Sequence, residues 1–237
     1  MTLLEAIDAR HSVRQYLDKP IEDEKIAALR AAADELNRES GLHLQIVTNE
    51  PKAFSGPMAH YGNFTNVTNY IACVGKKSKT LNEQLGYYGE KLVLLAQQLG
   101  LNTCWVALTA SKRKAAAVIE KGEKMPVLIS LGYGATQGHE RKTKSAADVS
   151  DAENAPAWYN AGIAAALKAP TATNQQRFFF SLDGTAVSAK ATGGFYSDMD
   201  LGIVKCHFEI GAGDAAFTWA QSAFSFARIS TSAGQKS

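Results

Sequence analysis

Apolar positions recur with helical spacing along some stretches of the chain and with strand spacing along others. Thr2 and Glu5 stand three apart, the spacing of a capping box, and predict a short helix ending near Arg10. From Ile21 to Glu39 a stripe of Ile26, Leu29, Ala32, Ala33 and Leu36 predicts a second helix, which Gly41 closes. Leu42 to Val47 alternates and reads as a strand. Residues 51–68 mix Pro, Gly, Asn, Thr and aromatics without a period, which predicts a loop. Asn69 to Gly75 reads as a buried strand. Asn82 is a candidate cap for the strongest helix, whose apolar face is Leu85, Tyr88, Leu92, Leu95 and Leu99 and which Gly100 ends. Thr103 to Leu108 is β-rich, Ser111 to Glu120 predicts a short basic helix, and Pro126 to Tyr133 predicts a strand that Gly132-Tyr133-Gly134 breaks.

Gln137 to Asp151 is polar and charged and reads as a linker or exposed loop. Asn154 is a candidate cap, with Pro156 in the first turn, for a helix that Ala169-Pro170 stops. Arg177 to Leu182 predicts a strand. Ser197 to Ile210 predicts a helix capped by Ser197, with Asp198 and Asp200 in its first turn. Ala215 to Trp219 and Phe224 to Ile229 predict a terminal hairpin, and the chain after Ser230 reads as a disordered tail. The pattern divides the chain into 1–150, 151–230 and a tail at 231–237. Each of the two larger parts is α+β, with a helix, a strand and a further long helix.

The balance of charge narrows the partners. The chain has 237 residues, 46% hydrophobic and 20% charged, with a formal net charge of +2. That is too near neutrality to argue for nucleic acid, and local basic runs such as Lys112-Arg113-Lys114 read as solvated faces. Cys73, Cys104 and Cys206 are scattered without C-x-x-C spacing, which argues against a disulfide framework and a zinc site. Cys73 and Cys104 sit in apolar runs and read as buried packing. No signal peptide opens the chain and no apolar run is long enough to span a bilayer, so the expected location is cytoplasmic.

Two polar constellations stand out. In an extended segment Arg10, Ser12 and Arg14 project to one side, so two guanidinium groups and a hydroxyl converge in a pattern suited to phosphate oxygens. A solvated charge patch is the plainer reading of the same spacing, and a structural role is the plainer reading of His11. Lys142 and Lys144 repeat the alternation. The second constellation, Ala169-Pro170-Thr171-Ala172-Thr173-Asn174-Gln175-Gln176, offers backbone N–H groups and side-chain amides to a flat polar ring. Gly132-x-Gly134 lacks the full dinucleotide fingerprint and does not open a helix. No nucleophile–base arrangement and no metal-ligand cluster is present in the pattern, so neither catalytic residues nor a metal is predicted.

The run Ala6-Ile7-Asp8-Ala9-Arg10-His11-Ser12-Val13-Arg14-Gln15-Tyr16, followed by Lys19-Pro20-Ile21, resembles the N-terminal phosphate-binding signature of the FMN-dependent nitroreductase family. Leu92 to Val106 is similar to that family's central helix and the strand after it, Met125 to Gly134 to its next strand, and Ala169 to Gln176 to its flavin-binding turn. The family's usual place for the turn, after the second helix, holds Asp34 to Gly41, which lacks it. The chain therefore resembles a divergent subgroup with two half-size units in one chain. The resemblance implies a nitroreductase-like α+β fold, with a central, mostly antiparallel sheet flanked by helices. It implies FMN, with Arg10, His11 and Ser12 at the phosphate and Arg14 at the ribityl chain or pyrimidine edge. Pro170, Thr171, Ala172 and Asn174 would line the ring, Trp105, Val106, Ala107 and Leu108 would follow its other edge, and Lys142 and Lys144 would reach the phosphate. Asn102 stands where the family has glycine.

The implied activity is hydride transfer from NAD(P)H through flavin to a nitroaromatic or quinone-like acceptor. A flavin carrier or sensor without reductase activity is the second class, and an anion- or nucleotide-binding module without flavin the third. The implied assembly is a monomer that mimics the family's dimer, or a homodimer.

Overall fold

The computed structural model describes residues 1–220 and forms two units. The first contains Met1–Leu81 and Tyr88–Glu140; the second contains Asn82–Tyr87 and the chain from Arg141 onward.

The first unit begins with helix α1 (Leu3–Ala9), which carries the expected capping box between Thr2 and Glu5. Helix α2 (Asp23–Ser40) ends at Gly41, whose left-handed φ of 71° frees the chain to turn. Strands β1 (His43–Val47), β2 (Asn69–Lys76), β3 (Asn102–Val106) and β4 (Glu123–Gly132) make a four-stranded sheet in the order β1-β2-β4-β3. All its pairings are antiparallel. β2 and most of β4 are buried, which explains their continuous apolar runs. Helix α4 (Leu81–Gln98) follows α3, a single turn at Pro57–Tyr61, and Gly100 with φ 76° follows its end. Ile21, Ile26, Leu29, Ala96, Leu101 and Leu131 form one apolar cluster of this unit.

Two expectations in this unit are corrected. Ser111 to Glu120 is not a helix but a set of turns followed by irregular chain. Its backbone groups bond to side chains instead: Ala116 N donates to the Tyr70 hydroxyl at 2.8 Å, and Val118 exchanges bonds with the Gln45 amide at 2.7 and 2.8 Å. Val118 and Ile119 remain exposed, so no apolar stripe supports a helix. Residues 51–68 are not wholly a loop, because a 3-10 turn at Lys52–Phe54 and α3 lie within them. Phe54 is buried there, 5.3 Å from Phe64 and 6.0 Å from Tyr70 between ring centroids.

The second unit contains helices α5 (Ala157–Ala166) and α6 (Ser197–Ala212) and a small sheet, β5 (Phe178–Asp183), β6 (Ala186–Ala191) and β7 (Thr218–Trp219). β5 and β6 pair antiparallel, β6 and β7 parallel. β6 was not foreseen, although Asp183-Gly184 between two β-rich runs is a hairpin signal, and Gly184 takes φ 59°. α5 starts two residues later than expected: Asn154 is a left-handed turn residue with φ 51°, and Pro156 is the cap. Ser197 is the first residue of α6 rather than its cap, a place held by Tyr196 at φ 56°. Thr218–Trp219 pairs with β6; the second strand of the expected terminal hairpin, Phe224 to Ile229, and the tail after Ser230 lie outside the described residues.

α6 is buried along nearly its whole length, polar residues included. Lys205 donates to Glu83 at 2.5 Å, and Glu209 accepts from Tyr87 at 2.5 Å and from Trp219 at 2.7 Å. Lys205 and Glu209 thus have polar partners although they are buried. The backbone of α6 lies directly against the segment Asn82–Tyr87. A methyl group on Gly202 would stand 1.9 Å from the Glu83 carbonyl oxygen, and one on Gly86 2.1 Å from that of Met199. Among the described residues no helix is long and apolar enough to cross a membrane.

Backbone atoms cannot yield as flexible side chains do. Gly202→Ala is therefore expected to destabilise the second unit by ~3 kcal/mol or more, read as a lower denaturant midpoint.

Candidate functional site

The chain leaves α1 at Arg10 with extended dihedrals (φ −72°, ψ 126°). It then lies along β3, where Ser12 pairs with Thr103 and Val13 N donates to the Thr103 carbonyl at 3.0 Å. Tyr16 anchors the far end, its hydroxyl donating to the Val13 carbonyl at 2.7 Å and lying 2.8 Å from Ser130 Oγ.

Arg10 is only 6% exposed. Its Nε lies 3.8 Å from Glu90 Oε1 and has no hydrogen-bond partner among the described residues. Glu90 is fully buried, and its other oxygen accepts from Trp105 Nε1 at 2.8 Å. Burial lowers the proton affinity of Arg10, and the Glu90 carboxylate partly restores it. The Cys104 thiol is pushed up by burial and drawn back by the Arg14 charge, a hydrogen bond from Ser12 and the Arg10 charge. The Arg10 and Arg14 charges and the Ser12 hydroxyl thus all act on this one thiol. Arg14 is exposed, and its guanidinium lies 6.0 Å from the Phe64 ring centroid.

His11 is half-buried beneath the following loop: a Cβ on Gly138, which has φ 81°, would lie 2.5 Å from His11 Cβ. Asn102 fastens that loop, accepting from Gly134 N at 2.9 Å and donating to Gln137 at 3.2 Å. Trp105 packs its ring edge against Gly89, where a Cβ would come within 2.6 Å. Val106 is buried and Ala107 half-buried, whereas Leu108 is exposed.

In the second unit, Thr173, Asn174 and Gln176 are all left-handed, with φ 49°, 55° and 46°. This is an uncommon conformation for residues other than glycine and needs support from its surroundings. The segment predicted as a linker supplies part of that support. Arg141 donates to Asn174 Oδ1 at 2.7 Å and to the Leu167 and Ala169 carbonyls beyond α5 at 2.9 and 2.6 Å. The Lys142 carbonyl accepts from the side-chain amides of Asn174 and Gln176, each at 2.9 Å. Lys144 donates its ammonium to the Gln176 carbonyl at 2.7 Å. Pro170 is buried, while Thr171, Ala172 and Asn174 are half-buried.

Asp200, in the first turn of α6, supports the other side. Its carboxylate accepts from Ala172 N at 2.9 and 3.1 Å and from Gln175 Nε2 at 2.7 Å. Burial pushes its pKa up to about 6, against the pull of Gln175, Ala172 and Arg141.

Glu90, Arg141 and Asp200 were not singled out from the sequence. Glu90 could have been suspected as a carboxylate on the strongest apolar helix. Arg141 and Asp200 carry no such signal, being ordinary for a polar loop and a helix first turn.

A family model described as "Putative TM nitroreductase" matches residues 2–212. The chain belongs to this nitroreductase family. A crystal structure described as a putative nitroreductase from Thermotoga maritima shares 21% identity over 89% of this chain and 83% of that one, with a TM-score of 0.63, and shows the shared fold. An FMN complex of a putative nitroreductase from Desulfovibrio desulfuricans is 18% identical over 65% of this chain and 98% of that one, with a TM-score of 0.49. A protein described as a putative NADH dehydrogenase/NAD(P)H nitroreductase from Parabacteroides distasonis is 22% identical over the same shares, 65% and 98%, also with a TM-score of 0.49. No curated protein sequence matches the chain.

Glu90→Gln removes the charge facing Arg10, and we expect a loss of ~3 kcal/mol in thermal unfolding. A bound anion that restores the lost Tm would show that the uncompensated guanidinium is its seat. Asp200 predicts a pH dependence with a definite sign. Its raised folded pKa means that the native chain holds a proton the unfolded chain releases between about 3.8 and about 6. Its contribution to stability therefore falls as pH rises through that window, by about 3 kcal/mol. Urea titrations at several pH values should show this slope in the wild type and not in Asp200→Asn.

Proposed function

We propose that this nitroreductase-family protein is an FMN-dependent oxidoreductase that draws hydride from NAD(P)H and reduces a nitroaromatic or quinone-like acceptor. The single observation that carries the reading is Arg10: a permanent cation withdrawn from water, its Nε without a hydrogen-bond partner among the described residues, whose charge acts on the same thiol as Ser12 and Arg14. This donor set fits a phosphate monoester. FMN, when bound, supplies the redox chemistry.

In this reading Arg10, His11 and Ser12 hold the phosphate. Glu90 fixes the Arg10 guanidinium from behind and ties it to Trp105. Arg14, exposed and unconstrained by a carboxylate among the described residues, directs positive charge toward the pyrimidine edge, where reduction places negative charge. Trp105, Val106, Ala107 and Leu108 follow one ring edge. Pro170, Thr171, Ala172 and Asn174, with Lys142 and Lys144, enter on the family resemblance. The Asn174 amide is already committed to Arg141, Lys142 and Gln176, so its part is to shape the turn while the backbone meets the ring. The proposed assembly is a monomer that mimics the family's dimer, or a homodimer.

The purified protein is expected to absorb at about 450 nm and to release FMN on heating. Arg14→Ala should keep the fold, slow reduction by NAD(P)H and lower the flavin potential by about 30 mV. Unchanged affinity, potential and reduction rate in that variant would remove the role given to Arg14. A colourless protein that does not take up added FMN would end the proposal.

A further inference from the structure

Asp200 makes more connections than a residue of a helix first turn needs. One carboxylate receives the backbone amide of Ala172 and the side-chain amide of Gln175. The same Gln175 nitrogen donates to the carbonyl of Phe195 at 2.8 Å. Phe195 is 81% exposed and follows Gly193 and Gly194, both with φ 104°. Gly194 lies so close that a Cβ there would stand 2.1 Å from Gln175 Oε1. The left-handed turn and the loop that displays an aromatic ring to solvent are thus fastened at one point.

We propose that Asp200 is the positioning residue of the flavin-contacting turn, setting the Ala172 amide and, through Gln175, the loop that presents Phe195. This inference rests on the FMN reading above and extends it to a residue with no assigned role. Two N–H donors meet two acceptor oxygens only while the carboxyl is ionised. Protonation replaces one acceptor with a donor that faces other donors, so the turn and the Phe195 loop loosen together. Among the described residues, the Arg141 charge acts on Asp200 from outside its own helix and favours the ionised form. Ionisation of a group whose pKa is raised to about 6 then links the setting of the turn to mildly acidic pH.

The test compares wild type and Asp200→Asn at pH 5 to 8 in two measurements. The first is NMR of the flavin-free chain. The Ala172 amide and the Gln175 side-chain amide should titrate together with a midpoint of about 6 in the wild type, and neither should do so in the variant. The second is the ratio of the FMN dissociation constants of the two proteins, which cancels the titration of the FMN phosphate itself. That ratio should be about ten at pH 8 and approach one at pH 5. Asp200→Glu, which keeps the charge, should recover part of the affinity and the pH dependence. A ratio that does not vary with pH, or amides that do not titrate, would overturn the role of Asp200 even in a yellow, active enzyme. Coupled titration of the two amides in a wild type that never binds FMN would uphold the positioning and defeat the flavin reading alone.

Discussion

Arg10 holds a permanent charge where almost none of its surface reaches water, and Glu90 stands 3.8 Å from it. A charge in such a place is costly unless it is matched, and this need organises the first unit's polar interior. Helix α4 must deliver a carboxylate into an otherwise apolar face. β3 must set Trp105 where its indole can satisfy the second oxygen. The chain after α1 must run alongside β3, which brings Ser12 and Arg14 to the same thiol that feels Arg10. The pair is incomplete as a set of hydrogen bonds, since Arg10 Nε has no hydrogen-bond partner among the described residues. In the proposed reading, the phosphate of the cofactor supplies what Glu90 does not.

The second unit solves a related problem by close packing. α6 is buried on every side and still carries Asp200, Lys205, His207 and Glu209. Lys205 and Glu209 reach partners because Gly86 and Gly202 let two stretches of backbone approach within methyl distance. At the start of that helix the balance is different. Asp200 is held by two N–H donors, yet burial still raises its pKa, so the ionised form that organises the turn is the form the fold disfavours. A turn with three left-handed non-glycine residues, tied by Arg141 on one side and Asp200 on the other, is strained backbone kept in place by its neighbours.

Much of the fold was legible along the chain because local rules and the final structure agree. The Thr2–Glu5 capping box, the stop at Gly41, the buried run of β2 and the apolar face of α4 are each determined within a few residues. What the linear pattern missed has one cause. Ser111 to Glu120 has helical composition, but Tyr70 and Gln45 take its backbone groups from elsewhere in the unit. The chain at 137–151 is largely exposed and irregular, as its composition implies; residue order does not record that its Arg141 and Lys144 find partners some thirty residues onward.

By itself, the sequence determined the longer helices, the buried strands, the alternation of Arg10, Ser12 and Arg14, and the family to which the chain belongs. These depend on spacing between near neighbours, which a linear pattern records. Only the tertiary structure decided that Glu90 would face Arg10, that Arg141 would brace Asn174, and that Asp200 would hold the Ala172 amide. Such pairings form because a buried charge or amide must find a partner at a particular distance and direction, and neither is written in residue order.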